Sequence, residues 1–189
     1  MERQTYNPKE VEITTSRLYL RTFGQDDITE EYVTALNDQE VIGLTEQRYR
    51  RSPATMESVK KYADDSNTEE SILLGIFLAE GKRHIGNIRL HTISQHNKRA
   101  ELGIMIFDKA QWGKGYATES LMAVSDWAFG TLGLHKIEAE YYSTNIGSSE
   151  IFRKAGYIIE GAIKDHFFID GKFVDAIKVA KFNPSTNVN

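Results

Sequence analysis

The chain has 189 residues, of which 40% are hydrophobic and 26% are charged, and its formal net charge at pH 7 is -4. These values are typical of a globular protein, and the length suits one domain, predicted over residues 1–182 with a polar tail at 183–189. The acidic balance argues against a nucleic-acid partner, because binding a phosphate backbone requires a basic face. The absence of cysteine excludes disulfides, thiolate metal sites and a cysteine nucleophile, and we predict no metal site.

No segment of the chain predicts a membrane partner. The longest apolar run, residues 72–79, is far shorter than the roughly 20 residues that a spanning helix needs. The first fifteen residues, MERQTYNPKEVEITT, are polar and do not resemble a secretory signal. We therefore expect a cytoplasmic protein.

The first half of the chain predicts a strand, two helices and three further strands. Residues 17–21 alternate in polarity as a strand does, and Asp26 or Asp27 is placed to cap a helix that runs to about Leu36. Residues 52–57, SPATME, predict the start of a second helix, with Pro53 in its first turn. Three strands follow in a pattern typical of an antiparallel meander, at residues 71–80, 83–92 and 99–107, with a tight turn at Gly81-Lys82.

The second half alternates between helices and strands. A helix is predicted over residues 118–132, because Leu121, Val124, Ala128 and Leu132 share one face. A strand at 136–142, a short helix at 148–155 and a hairpin around Asp170-Gly171 follow, the hairpin strands being 157–169 and 171–179. This order predicts an α/β (or α+β) fold with a mixed central sheet flanked by helices, and with parallel pairing in the second half.

Between the two halves lies a glycine-rich loop, DKAQWGKGYATES, at residues 108–120. The next helix opens near Ala117, and the first N–H groups of a helix have no partner within it, so they form an anion site together with the helix dipole. Glycines allow close approach of a ligand. The loop therefore either seats a phosphate-bearing ligand or uses its glycines only to turn. It matches neither the P-loop nor the dinucleotide pattern.

Residues 112–119, WGKGYATE, resemble the pyrophosphate loop of the GNAT superfamily of acetyl-CoA-dependent N-acetyltransferases, and in particular of its RimJ/RimL-like branch. Residues 99–104, RAELGI, resemble the fourth strand of that branch, and the block from Asn145 to Tyr157 resembles a further motif of the family. The resemblance covers nearly the whole chain from residue 17 onward. It implies the GNAT fold and acetyl-CoA as cosubstrate.

The resemblance also implies roles for individual residues. Glu101 is expected to act as the catalytic base, unless it forms a surface ion pair with Arg99, and His84 and His91 are the reserve bases. Ser148 is expected to donate a proton to the leaving thiolate, unless it only caps a helix, because Phe152 stands where many members have a tyrosine. A backbone N–H of Met105 or Ile106 is expected to contact the thioester oxygen. The residues expected to bind acetyl-CoA are Ile104, Met105, Ile106, Trp112, Gly113, Lys114, Gly115, Tyr116, Ala117, Thr118, Asn145 and Phe152.

The identity of the acceptor stays open between a nucleotide-linked amino sugar, a protein N-terminal amine and a polyamine, and a non-catalytic domain that binds acetyl-CoA is a further alternative. We expect residues 44–52 and the closing hairpin to shape the acceptor site. Direct attack of the amine in a ternary complex is the expected mechanism, since no cysteine is available for an acyl relay. The resemblance leaves a monomer and a homodimer both open.

Overall fold

The computed structural model describes residues 6–43, 45 and 52–185. Within these residues eight strands form one sheet in the order β1-β2-β3-β4-β5-β6-β8-β7. The strands are β1 (Glu12–Thr14), β2 (Leu18–Thr22), β3 (Ile72–Leu78), β4 (His84–Ser94), β5 (Arg99–Ile106), β6 (Lys136–Tyr142), β7 (Ile158–Ile169) and β8 (Lys172–Phe182). The pair β5–β6 is parallel and the other described pairs are antiparallel, so the sheet is mixed, as predicted.

Helices cover both faces of this sheet. They are α1 (Glu30–Ala35), α2 (Gln39–Ile42), α3 (Met56–Ser66), α4 (Tyr116–Thr131) and α5 (Ile146–Lys154). One apolar cluster packs α4 and α5 against the back of the sheet, and a second packs α1 to α3 against the front. Because β3 lies between the two clusters, it is buried on both faces, which explains its continuous apolar run. No helix in the described ranges is long and apolar enough to cross a membrane.

The second half of the chain follows the sequence prediction closely. Strand β6 has the predicted bounds, and α4 begins two residues before the predicted range. Its predicted apolar face is buried, with Leu121, Val124 and Ala128 no more than 1% exposed. The hairpin turn has positive φ at both Asp170 (49°) and Gly171 (79°), as a two-residue type I′ turn requires.

The predicted cap of the first helix is wrong, although the helix ends near Leu36 as expected. A single 3₁₀ turn at Gln25–Asp27 is followed by the separate helix α1, whose N-cap is Thr29. Asp27 cannot cap α1 because its carboxylate accepts hydrogen bonds from the backbone N–H of Gly24 and from the guanidinium of Arg21. The ion pair with Arg21 links this turn to β2 instead.

Two further boundaries differ from the prediction. Helix α3 begins at Met56 rather than near Pro53, because the hydroxyl of Thr55 accepts from the Ser58 N–H and the Ser58 hydroxyl accepts from the Thr55 N–H. Strand β1 and helix α2 were not predicted, since three or four residues are too few to show a period.

In the tail, Asn183 is anchored by a 3.0 Å bond from its side-chain N–H to the carbonyl of Leu134. The remaining tail, 186–189, lies outside the described residues.

Candidate active site

The parallel strands β5 and β6 separate partway along their length. Their pairing runs from Arg99 opposite Lys136 only to Glu101 opposite Glu138. Beyond that point β6 stays paired with β8 as far as Tyr142, while β5 stays paired with β4 as far as Ile106. The sheet therefore opens between the two strands, and Glu101 lies at the point where the opening begins.

The hydrogen bonds of β5 determine which of its backbone groups face this opening. The N–H of Phe107 donates to the carbonyl of Ile85 at 3.0 Å, which places the backbone groups of Phe107 on the β4 side. The backbone N–H and C=O groups of successive residues point toward opposite edges of a strand. Those of Met105 therefore also point toward β4, whereas those of Ile104 and Ile106 point toward the opening. Of the two N–H groups expected to contact a thioester oxygen, the one that faces the opening is therefore that of Ile106, and Met105 is excluded.

A cleft with a volume of about 1290 Å³ extends along the front of the sheet and through the opening to the side on which α5 packs. Its floor is formed by β4 and β5, one wall by α1 and α3, and the other wall by β6, α5 and the β7–β8 hairpin. Five of the predicted site residues line it: Glu101, Ile104, Met105, Ser148 and Phe152. The structure thus brings together residues from β5 and α5 that lie more than 40 positions apart in the chain. The expected acceptor segment, 44–52, lies outside the described residues apart from Thr45 and Ser52.

Glu101 is a half-buried carboxylate on the cleft floor. It makes no hydrogen bond or ion pair with any residue that the structure describes. Arg99, its expected surface partner, instead pairs with Glu138 at 2.6 Å. Glu101 therefore has a carboxylate available for a proton or a cationic ligand.

The two reserve bases occupy different environments. His84 lies among the rings of Phe23, Tyr32, Phe77 and Phe107, with centroid distances of 4.8–5.1 Å, and it does not line the cleft. Burial lowers its pKa to about 4, although the carbonyl of Gly86 accepts from the ring. His84 is therefore a neutral part of the core, and its assignment as a reserve base is wrong. His91 does line the cleft, directly across β4–β5 from Glu101.

The structure shows which of Ser148 and Asn145 caps α5. The cap of α5 is Asn145, whose side-chain oxygen accepts from the Ser148 N–H at 2.9 Å. Ser148 is therefore not the cap, and its hydroxyl makes no hydrogen bond with a described residue. The hydroxyl lies in the cleft wall with its donor uncommitted.

The aromatic residues beside Ser148 are mostly structural. Phe152 is 4% exposed and stacks on Tyr141, with centroids 5.8 Å apart and an interplanar angle of 10°. Tyr157, which packs against Phe152, has its hydroxyl 2.9 Å from the Oγ of Ser125, and burial raises its pKa well above the ordinary value. Tyr157 is thus unsuited to proton donation, whereas Tyr141 lines the cleft.

The glycine loop lies beyond the end of β5, at the N-terminus of α4. Gly113 and Gly115 have φ values of 74° and 84°, in the left-handed region that glycine adopts without a steric penalty. No side chain caps the helix at Gly115. Among the described residues, none accepts a hydrogen bond from the backbone N–H groups of residues 113–118. The loop therefore presents a run of unpaired donors at the positive end of a 16-residue helix.

Two side chains that contact the loop hold it in place. Trp112 donates its indole N–H to the carbonyl of Ile106 at 2.8 Å, and its backbone N–H bonds Lys109, so both of its donors are used within the protein. Arg17 donates to the carbonyl of Lys114 at 3.0 Å and pairs with Glu119 in the first turn of α4. Arg17 could not be identified from the sequence, because it lies 97 positions from Lys114 and no local pattern connects the two residues.

The residues that surround this site match a known family model. The match covers residues 17–158 and is described as an acetyltransferase (GNAT) domain. The chain belongs to the GNAT acetyltransferase family. A probable N-acetyltransferase of Bacillus subtilis, YjcK, is 34% identical over 126 residues, which is 67% of this chain and 70% of the relative.

Other relatives of this GNAT acetyltransferase differ in their acceptors. An Escherichia coli enzyme named ribosomal protein uS5-alanine N-acetyltransferase is 32% identical over 111 residues, 58% of this chain and 57% of the relative. The crystal structure of spermidine N-acetyltransferase from Vibrio cholerae, in complex with CoA and spermine, has a TM-score of 0.77 at 22% identity. The match covers 89% of this chain and 96% of that one, and at this identity it establishes the fold alone.

The GNAT protein described here is an acetyl-CoA-dependent N-acetyltransferase. Its geometry suits that donor. The opening between β5 and β6 leaves the backbone groups of Ile104 and the N–H of Ile106 available to an extended arm, as an added strand would require, while the carbonyl of Ile106 accepts from Trp112. The unpaired N–H groups at residues 113–118 suit a pyrophosphate.

Proposed function

We propose that Glu101 accepts the proton of a primary amine that attacks the thioester of acetyl-CoA directly, in a ternary complex. The observation that carries this proposal is the place of Glu101: its unpaired carboxylate lies where β5 and β6 separate, in the same cleft as Ser148. In the reaction an N–C bond forms and a C–S bond breaks. The amine proton passes to Glu101, directly or through a water molecule.

The base is needed because the acceptor arrives protonated. An alkyl amine with a pKa of about 10.4 costs roughly 4–5 kcal/mol to deprotonate at pH 7. A carboxylate within hydrogen-bond reach lowers that cost in the transition state. Glu101 is suited to the task because no described cation neutralises it by direct contact.

The other groups of the site stabilise the charges that develop. The N–H of Ile106 faces the opening and would donate to the thioester oxygen as it becomes negative. The hydroxyl of Ser148 would donate to the departing sulfur; a thiol has a pKa of only about 8.5, so a strong acid is unnecessary. The loop at 113–118 would hold the pyrophosphate, and Asn145 at the start of α5 would contact the amides of the pantetheine arm.

For the acceptor we propose a nucleotide-linked amino sugar or a protein N-terminal amine, as in the RimJ/RimL-like branch. The similarity to the ribosomal-protein acetyltransferase supports the protein N-terminal amine. The similarity to a spermidine N(1)-acetyltransferase of Escherichia coli, which is 34% identical over 97 residues (51% of this chain, 52% of the relative), supports a polyamine equally.

A polyamine is the alternative acceptor. The cleft contains carboxylates that could attract it, and the spermidine N-acetyltransferase of similar fold was crystallised with spermine. Glu138 and Glu140 are already paired with Arg99 and Lys178. Glu70 and Glu101 have no ion-pair partner among the described residues, so negative charge is left in the cleft for a polycation.

The proposal is tested by measuring free thiol release from acetyl-CoA with a panel of acceptors. The panel contains peptides with free N-termini, nucleotide-linked amino sugars and polyamines. We expect acceptor-dependent thiol release with at least one class and none with the N-acetylated form of the same compound. CoA binding without release by any amine would contradict the proposal.

A further inference from the structure

The floor of the acceptor cleft carries a second charged residue opposite in sign to Glu101. Arg89 on β4 lies directly across from Gly103 on β5, and Glu101 is two residues from Gly103 on the same face. This diagonal arrangement places the backbones of Arg89 and Glu101 about 7–8 Å apart and their Cβ atoms somewhat closer. Gly103 has no side chain, and a Cβ added there would have no neighbour within 4 Å, so the space between the two charges is open to the cleft.

Arg89 is held in position by neutral oxygens. Its Nε donates to the Oγ of Ser71 at 2.9 Å, and its Nη1 donates to the hydroxyl of Tyr62 at 3.1 Å. The guanidinium carbon also lies 5.1 Å from the centroid of the Tyr62 ring. These three contacts orient the guanidinium group and leave its Nη2 without a hydrogen bond to any described residue.

Arg89 differs in this respect from the other cleft cations. The described lysine and arginine residues that line the cleft besides Arg89 are Arg99, paired with Glu138, and Lys178, paired with Glu140. Arg89 has no carboxylate partner among the described residues. A guanidinium held rigidly with a free N–H edge is suited to binding a carboxylate or phosphate.

We propose that Arg89 binds an anionic group, a carboxylate or a phosphate, carried by the same acceptor whose amine is placed at Glu101. The inference rests on the proposed function for the position of the amine. It narrows the acceptor to amines that bear an acid a few bonds away, such as a short peptide or an amino-sugar phosphate. It disfavours polyamines, because their second cation would meet Arg89.

The test measures binding separately from turnover. Calorimetric affinities are compared, in wild type and in Glu101→Gln, for two matched pairs. One pair is trialanine and its C-terminal amide, and the other is glucosamine 1-phosphate and methyl glucosaminide. We expect the acid-bearing member of one pair to bind about 10- to 100-fold more tightly, as a charge-assisted hydrogen bond allows. The pair that shows the preference identifies the anion as a carboxylate or a phosphate.

Variants of two arginines complete the test. We expect Arg89→Gln to reduce the preference to about one, Arg89→Lys to retain part of it, and Arg99→Gln, whose arginine is already paired, to retain it. Equal affinities within both pairs in wild type, or a preference that survives Arg89→Gln, would overturn the inference. If the acid-bearing compound binds more tightly through Arg89 but no amine causes thiol release, the inference about Arg89 is upheld. The same result counts against the proposed reaction.

Discussion

Arg17 and Glu119 lie 102 positions apart in the chain and are joined by two contacts between the guanidinium and one carboxylate oxygen, at 2.5 and 2.7 Å. The pair links the residue immediately before β2 to the first turn of α4. Partial burial acts to raise the pKa of Glu119, but hydrogen bonds from Thr15 and Arg17 outweigh it and hold the pKa below the ordinary value. Since Arg17 also bonds the carbonyl of Lys114, this contact positions the loop that we assign to the pyrophosphate.

We expect Arg17→Gln to weaken binding of acetyl-CoA about tenfold, because the charge-assisted bonds that hold the loop are lost. S-acetylpantetheine has the thioester and the pantetheine arm but no pyrophosphate, so its KM should rise much less. The measurement is KM for the two donors at saturating acceptor. An equal rise with both donors would indicate a general structural effect rather than control of the loop.

The shape of this loop also depends on the left-handed backbone conformation at Gly115. We expect Gly115→Ala to lower the free energy of unfolding by about 1–2 kcal/mol, the cost of φ near +84° for a residue with a Cβ. CoA affinity should fall as well. Gly130→Ala, in the last turn of α4 with no atom within 4 Å of the added Cβ, is the matched control and should not lower the free energy of unfolding. Denaturant titration and CoA titration measure both effects. A fully stable Gly115→Ala protein would show that the loop tolerates another conformation.

Glu101→Gln should lower kcat/KM by about 10²- to 10⁴-fold at pH 7, the usual contribution of a general base. The deficit should narrow as the pH approaches about 10, because the amine then deprotonates without help. Glu70→Gln, in the same cleft but away from the opening, is the control and should change kcat/KM less than threefold. A deficit that is constant with pH would assign Glu101 a role in binding rather than in proton transfer.

Ser148→Ala should lower kcat about tenfold or more and leave CoA affinity within about twofold. The structure separates this role from helix capping, because the cap bond is made by the side chain of Asn145. The free energy of unfolding should therefore change by less than about 0.5 kcal/mol. Tyr141→Phe is the companion variant, since its hydroxyl is the neighbouring donor in the cleft. If Tyr141→Phe lowers kcat and Ser148→Ala does not, the donor is Tyr141.

His84 predicts a pH dependence of stability. Its pKa is about 4 in the folded protein and about 6.5 when unfolded, so the unfolded state binds more protons between these values. Stability should therefore be full above pH 6.5 and fall as the pH decreases toward 4, by a total on the order of 3 kcal/mol. His84→Phe, which preserves the aromatic cluster, should remove most of this slope, whereas His96→Phe should not. An unchanged slope in His84→Phe would assign the acid sensitivity to other groups.

The sequence predicted elements best where a periodic pattern ran through a long segment. The helix around Leu121 and Val124 and the strand at 136–142 have enough residues for their apolar faces to stand out. The cap of the first helix was mispredicted because the carboxylate of Asp27 bonds Arg21, a partner on β2, instead of capping α1. Local pattern cannot report such a competing contact.

In the candidate site, too, some features follow from local sequence and others only from contacts between distant residues. The glycine loop is readable from the chain as an anion site, because glycines before a helix N-terminus are a short local feature. The roles expected of Glu101 and Ser148 came from the resemblance to the GNAT family. Only the tertiary structure decided which polar side chains lie in the cleft without a hydrogen-bond or ion-pair partner. It places His84 half-buried among aromatic rings and outside the cleft, assigns the helix cap to Asn145, and places Arg89 diagonally across β4 and β5 from Glu101. Pairing between distant strands decides whether a charged side chain finds a partner, and composition and spacing carry no record of that pairing.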